Sequence, residues 1–415
     1  MKPMGAVTSA TLLVSDKAIM KITGMSVDAG AIAAAVATGR TDSILSLALR
    51  GDDVILGSSG NDSLIGLTGN DTISGKNGSD QLLGLEGDDV LDGGAGNDIL
   101  IGGAGRNILY GGQGIDVALY YGETPVTVSL ALTGYQNTGV SRDRLTGIEA
   151  IAGGKGNDRL TGNDSANLLA GGDGNDVLTG AAGNDTLFGN DGRDTITGGT
   201  GNDEIEGGAG GDRLGGGGGK DALRGDAGHD YLTGGAGADT LIGGAGNDTL
   251  VGGAGDDQLF GGEGIDTVIF QGDDAFYVDL GSQFLVQTGQ GLDRFDGIEN
   301  ATTGAGNDLL HGSEAANRLT GGAGRDTFAF HFASDSAAGR GRDVITDFAP
   351  GLDRLNLSQI DANPDQTGEQ AFLWSDRATA FGLWTVKSGA DLLIRADMAI
   401  QLAHLDQIGA GDLIL

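Results

Sequence analysis

No cysteine occurs in the 415 residues, so neither disulfide staples nor thiolate metal sites contribute to the fold. A chain without thiols is also compatible with export in an unfolded state. Proline is almost as scarce, with four residues, and aromatics make up 5% of the chain. The four histidines, His229, His311, His331 and His404, include no pair at helical spacing. That excludes a His-Glu-x-x-His zinc centre, and the lack of a Gly-x-Ser-x-Gly elbow removes support for a lipase. Lys and Arg number 24 against 58 Asp and Glu, and the resulting net charge of -34 repels nucleic acid and anionic membrane surfaces. Cations are favoured instead. Apolar runs are short: the nearest to a membrane span, Ala29 to Gly39, falls below the roughly 18 residues required. The opening MKPMGAVTSATLLVSDK has a brief apolar run but no convincing cleavage site before Asp16, so a classical signal peptide is not expected.

Glycine, by contrast, is abundant, with 82 residues, and its placement is regular. Composition alone would describe a disordered polymer. The order of residues argues otherwise. Gly-x-Asp returns every nine residues through Asp53, Asp62, Asp71, Asp80, Asp89 and Asp98, then Asn107 and Asp116. It resumes at Asp158, Asn167, Asp176, Asp185, Asp194, Asp203, Asp212, Asp221, Asp230, Asp239, Asp248, Asp257 and Asp266, and again at Asp308, Asn317 and Asp326. Two positions after each acid stands an aliphatic residue, such as Ile55, Leu64, Ile73, Leu178, Leu187 and Ile196. A repeat this short specifies a solenoid. One inward apolar side chain per nine residues predicts three-residue strands between glycine turns, with a thin, stacked core.

The predicted architecture is all-β, a parallel roll with two β insert modules and a β-rich C-terminal cap. Residues 1–50 form a leader or cap of unknown fold, in which AVTSATLLV reads as a strand and Thr41-Asp42 as the cap of a short helix. Roll blocks are expected at 51–117, 154–267 and 304–328, and insert modules at 118–153 and 268–303. The inserts are one module used twice: DRLTGIEAI from 143 returns as DRFDGIENA 150 residues later. Alternation at Val126, Val128 and Leu130, and at Phe276, Val278 and Leu280, predicts hairpin-like strands packed on the roll. From 329 to 415 the aromatics concentrate (Phe330, Phe332, Phe348, Trp374, Phe381, Trp384), as a cap over an open solenoid edge would need.

If two nonapeptides make one coil of 18 residues, Asp203 and Asp221 stack on one edge and Asp194 and Asp212 on the other. Coils lie about 4.8 Å apart. Carboxylates at that spacing repel unless a cation lies between them. A hard ion taking carboxylate and loop carbonyl oxygens answers the charge, and a pliable loop with six or more oxygens suits calcium over magnesium. Scattered histidines disfavour transition metals. All twenty-one aspartates named above are the predicted metal ligands. The simpler alternative is that each Asp only closes its own turn through an Asx hydrogen bond. Asn107, Asn167 and Asn317 keep the turn and lose the charge, which predicts weaker sites there. The stretch Gly215 to Lys220 imitates a phosphate loop, but Leu214 and Asp221 stand where Gly and Ser or Thr are required.

The segments GGAGNDILI from Gly93 and GGAGNDTLV from Gly243 meet the consensus GGxGxDxUx, and the chain resembles the repeats-in-toxin (RTX) family of haemolysin-type calcium-binding proteins. The resemblance implies a right-handed parallel β-roll with calcium between successive turns. It also implies secretion through a type I channel, directed by an uncleaved C-terminal signal. The segment from Gly321 is similar to the C-terminal region of serralysin-type metalloproteases, on GGAGRDTFAF, DVITDF and GLDRLNLSQI, with Asn356 departing from that family's acid. Asp412-Leu413-Ile414-Leu415 is similar to the termini of protease-type secretion signals. The expected protein is extracellular, non-catalytic and calcium-folded, structural or adhesive at a cell surface or matrix. The alternative is a carbohydrate-binding accessory, or the remnant of a secreted enzyme, taking extracellular polysaccharide on Tyr120, Tyr121, Tyr135, Phe276 and Tyr277. A catalytic domain housed in the first 50 residues and the inserts is disfavoured by size.

Overall fold

A computed structural model describes residues 6–14, 17–28, 51–282, 286–288, 290–330, 342–358, 373–374, 382–388, 391–395, 399–402 and 412–414. The regular elements among them are β-strands, and no α-helix occurs. AVTSATLLV forms the strand Ala6–Val14. The helix expected after Thr41-Asp42 falls outside the described residues.

The chain divides into two units, Met1–Thr200 and Gly201–Leu415. In the first, Val54–Leu56, Thr72–Asn77, Val90–Ala95 and Ile108–Gln113 form one parallel ladder, with Ile55, Ile73, Leu91 and Leu109 in register. The intervening strands Ser63–Thr68, Gln81–Glu86, Ile99–Ala104 and Val117–Leu119 form the opposite ladder. Partners are 18 residues apart, so two nonapeptides do make one coil. The second unit repeats the plan: Ile205, Leu223, Leu241 and Leu259 align on one side, and Leu214, Leu232, Leu250 and Val268 on the other. All of these aliphatic side chains are buried, which makes the core a stack one residue wide.

Strands in the regular repeats run six residues rather than the expected three, as in Thr186–Asp191 and Thr240–Ala245. The second inward position of each is glycine. Gly243 lies under the Asp248 carboxylate, in the space a Cβ would need, so the chain stays extended where a larger residue would force it outward. At the following corner Gly246 takes φ of 140° against the Gly228 carbonyl of the preceding coil, and neither the angle nor the space admits a side chain.

The inserts enter the ladders. In the first, Arg142–Thr146 pairs with Ile108–Gln113 and carries Gln136–Asn137 antiparallel on its outer edge, ending that ladder. The opposite ladder continues through Ala150–Gly154 into Leu168–Asp173. A new ladder starts at Thr127–Ser129 and passes to Arg159–Thr161 and Val177–Ala182. The second insert does the same with Leu292–Asp296 and Val286–Gln287, Asn300–Thr302, and Tyr277–Asp279. The expected hairpins thus shrink to one two-residue antiparallel pair per insert. The alternating residues Val126, Val128, Phe276 and Val278 are core of the roll itself, each at most 2% exposed.

Antiparallel strands finish each unit's outer ladder. Lys17–Asp28 pairs with Ala6–Val14 and with Val54–Leu56, both antiparallel. In the second unit Ala399–Leu402 extends Asp343–Ile345 in parallel, then Asp391–Arg395 and Gly382–Ser388 follow antiparallel. Leu413–Ile414 pairs with Arg354–Asn356 as a last strand. Phe328, Phe330 and Phe348 are buried in this region. The side chains of Phe332, Trp374, Phe381 and Trp384 lie outside the described residues.

Candidate metal centres

Each ladder aspartate sits at the end of a glycine turn, just before the inward aliphatic residue, so the strand register that stacks the core also stacks the acids. Twenty of the twenty-one are buried, and Asp62 is half-buried. Their two oxygens have separate roles. One Oδ accepts the backbone N–H of the aspartate one coil earlier: Asp53 N–H donates to Asp71 Oδ1 at 2.8 Å, Asp158 to Asp176 at 2.7 Å, Asp221 to Asp239 at 2.9 Å and Asp230 to Asp248 at 2.8 Å. The other oxygen points into the coil. In Asp53, Asp71, Asp80, Asp89, Asp98, Asp116, Asp158, Asp176, Asp221, Asp230, Asp239, Asp248, Asp257, Asp266 and Asp308, Oδ2 is buried with no hydrogen-bond partner.

Glycine cradles these oxygens. A Cβ placed on Gly234 would lie 2.5 Å from Asp239 Oδ2 and 2.6 Å from the Gly252 carbonyl oxygen. The same triplet of glycine, carboxylate oxygen and next-coil carbonyl recurs at Gly216 with Asp221 and at Gly243 with Asp248. Two kinds of hard oxygen and no donor therefore face one small space. Each orphaned buried polar group costs about 1–3 kcal/mol, more when charged, against a total domain stability of about 5–15 kcal/mol. A handful suffices to make the bare fold untenable at neutral pH. Among the described residues no three His, Cys, Asp or Glu side chains converge on one point. A cation here would be held by carboxylates and main-chain carbonyls together, the donor set of calcium.

The three asparagines are satisfied without a cation. Asn107 Nδ2 donates to the Gly103 carbonyl and to Asp143 Oδ1, Asn167 Nδ2 to the Glu149 carbonyl, and Asn317 Nδ2 to the Glu299 carbonyl. Asp62 differs too, because its Oδ2 accepts the Ser58 amide at 2.6 Å and the Ser58 hydroxyl at 3.0 Å.

Several ladder acids lie outside the nonapeptide pattern. At the inserts Asp116 N–H donates to Glu149 Oε2 and Asp266 N–H to Glu299 Oε2, while Asp257 N–H donates to Asp293 Oδ1. In the C-terminal region Asp353 accepts the Asp326 amide and Asp412 the Gly351 amide. The 150-residue repeat carries the signal for the first group, since Asp143 and Glu149 recur as Asp293 and Glu299. The asparagine before many of the acids has a role as well: Asn70, Asn97 and Asn247 each accept the amide 18 residues later.

Burial pushes Asp53, Asp89, Asp158, Asp221, Asp230, Asp266 and Asp326 up to about 6, with neighbouring acids acting in the same direction. Asp257, buried and next to Asp293, is pushed up to about 7. Negative charge is thus held in these ladders against its own preference.

The geometry defines a class: a parallel β-solenoid with buried, half-satisfied aspartate ladders. The RTX calcium-binding nonapeptide repeat model matches residues 48–82, 83–118, 145–178, 179–214, 197–232, 215–250 and 233–268, and the serralysin C-terminal model of peptidase M10 matches 295–377. The chain carries RTX calcium-binding nonapeptide repeats and a serralysin-type C-terminal region. That C-terminal match begins inside the second insert, ahead of Gly321. Solved structures that match include the R3 subunit of the Azotobacter vinelandii mannuronan C5-epimerase, 21% identical, covering 42% of this chain and 80% of that one at a TM-score of 0.23. No curated protein matches the chain.

Two outcomes follow from the cradle and the raised carboxyls. Gly234→Ala places a methyl against Asp239 Oδ2 and is expected to raise the calcium midpoint of folding. Gly218→Ala, with nothing within 4 Å of the added Cβ, is expected to leave it within error; circular dichroism titrations compare them. The second outcome concerns pH. A carboxyl with a folded value near 6 and an ordinary value of 3.8 stabilises the metal-free fold when protonated, and this is lost as pH rises through 6. In chelator, β signal should therefore grow from pH 7.5 to pH 5.5. The calcium concentration for half-saturation should rise over the same interval, as protons compete for the ligands.

Proposed function

We propose that the ladder aspartates bind a series of calcium ions between coils, and that the protein is extracellular and folds when it meets calcium. The observation that carries this is the row of buried Oδ2 atoms without a donor, which from Asp221 to Asp248 lie over a glycine and beside a next-coil carbonyl. Asp53, Asp71, Asp80, Asp89, Asp98, Asp116 and Asp158 through Asp266 would supply carboxylate oxygens, joined by Asp308 and Asp326. Asn107, Asn167, Asn317 and Asp62, whose polar atoms already have partners, would mark weak or missing sites. Calcium when bound supplies the positive charge that the stacked carboxylates lack. Metal that binds the folded form alone adds its binding free energy to folding.

The cytosol keeps calcium scarce, so the chain would remain a polyanionic coil during type I export and fold outside. A structural or adhesive role suits a protein whose acids are equivalent along its ladders rather than gathered into one reacting pair. Of the aromatics considered for sugar binding, Tyr120 and Phe276 are core, Tyr135 is covered by the Arg106 guanidinium at 3.9 Å and half-buried Tyr277 packs edge-on to His311, which leaves Tyr121 exposed.

Far-UV circular dichroism tests the reading. The expected result is coil in EDTA and β-sheet in millimolar calcium, with Asp230→Asn raising the midpoint more than Asp62→Asn. Identical spectra with and without calcium, or equal midpoints for the two variants, would contradict it.

A further inference from the structure

The two inserts share a backbone plan, yet along one edge their side chains have opposite character. In the first insert that edge carries Arg106, Tyr121, Val140, Arg142 and Lys155, all exposed. Arg142 N–H donates to the Gly105 carbonyl at 2.8 Å and Lys155 N–H to the Gly122 carbonyl at 2.9 Å, which sets the cations beside Tyr121 and Val140. Those two residues line a cleft of about 170 Å³ with Ile101 and Leu119. Tyr121 is 62% exposed and Val140 40%, so an aromatic and an aliphatic group stand in water between cations. The Arg106 guanidinium is steadied over the Tyr135 ring, and Lys155 reaches Asp173 at 3.2 Å in an exposed pair of little strength. Among the described residues Arg106 and Arg142 have no ion pair, in a chain where acids outnumber basic residues 58 to 24.

At the same positions 150 residues later stand Asp256, Gln271, Gln290, Leu292 and Ala305. Gln290 Nε2 donates to the Gln271 carbonyl at 3.0 Å, so the pair equivalent to Val140 and Tyr121 meets there through a polar contact. Asp256, Asp273 and Asp274 are exposed and make no ion pair among the described residues. Leu292, in the place of Arg142, is 38% exposed and lies beside Asp256, whose Oδ1 accepts its amide at 2.9 Å. One edge thus offers cations around an apolar cleft, and the other offers carboxylates around an exposed leucine.

We propose that the first-insert edge of one copy docks on the second-insert edge of another copy of this chain. Arg106 and Arg142 meet Asp256, Asp273 and Asp274, and Leu292 enters the cleft between Tyr121 and Val140. The remaining acidic surface repels a second copy, which confines association to this pairing. A contact between unlike edges is heterologous and leaves one edge of each kind free for further copies. It requires the folded roll, whichever ion supports that fold.

Sedimentation velocity on the full chain in saturating calcium tests the proposal, with circular dichroism confirming that each sample is folded. At about 0.15 M salt the sedimentation coefficient of the unaltered chain is expected to rise with protein concentration, and at about 1 M salt the rise should shrink as the charges are screened. Arg106→Asp with Arg142→Asp should weaken association at least about 10-fold, and so should Asp256→Arg with Asp273→Arg. An equimolar mixture of these two double variants should form pairs and nothing larger, because only one matched contact survives between them. Tyr121→Gln with Val140→Gln installs residues that the same backbone carries in the second insert; it should weaken association to a similar degree and keeps the test decisive should a charge variant misfold. A concentration-independent unaltered chain, undiminished association of the folded charge variants or of the glutamine variant, or a mixture that stays monomeric would each overturn the proposal.

Discussion

Ladder carboxylates such as Asp71 and Asp239 are split between two tasks, and the structure depends on that split. One oxygen ties its coil to the preceding one by accepting an aspartate amide, as Asp71 does from Asp53 and Asp239 from Asp221. The other is turned inward with no donor in reach. Protonation would relieve the second oxygen, and burial raises these carboxyls toward that state. A divalent ion relieves it more completely, because it leaves the first oxygen charged and strongly accepting. On the calcium reading the acids serve coil-to-coil cohesion and metal affinity with the same side chain, which would tie folding to the ion.

The inserts show how such a solenoid accommodates interruption. In each, one ladder ends on a strand edged by a short antiparallel pair, a second passes through, and a third begins. The passing ladder keeps its amide-to-carboxylate chain by substituting Glu149 or Glu299, whose longer side chain still reaches the amide of Asp116 or Asp266 across a wider sequence gap. Continuity of one edge is conserved while the other is rebuilt.

Much of this was legible in the sequence because the repeat is strict. The interval from Ile73 to Leu91 predicts both the coil length and the buried register, and both are found. The Asx-turn alternative contained part of the answer: the aspartates do accept backbone amides, but from the neighbouring coil, which a single repeat cannot reveal. Strand length was underestimated because glycine reads as a turn, whereas Gly243 is extended backbone that leaves its Cβ space to Asp248. The inserts hid their ladder acids, since Asp293 and Glu299 obey no nine-residue spacing and gain meaning only through the 150-residue repeat.

Amide hydrogen exchange resolved along the full chain at pH 7 addresses the central claim most directly. The account predicts that the ladder strands between Asp221 and Asp266 exchange at unstructured rates in EDTA and become protected together when calcium is added. Protection of those strands in a calcium-stripped sample, equal to that with the ion present, would show that the inward oxygens need no cation and would contradict it.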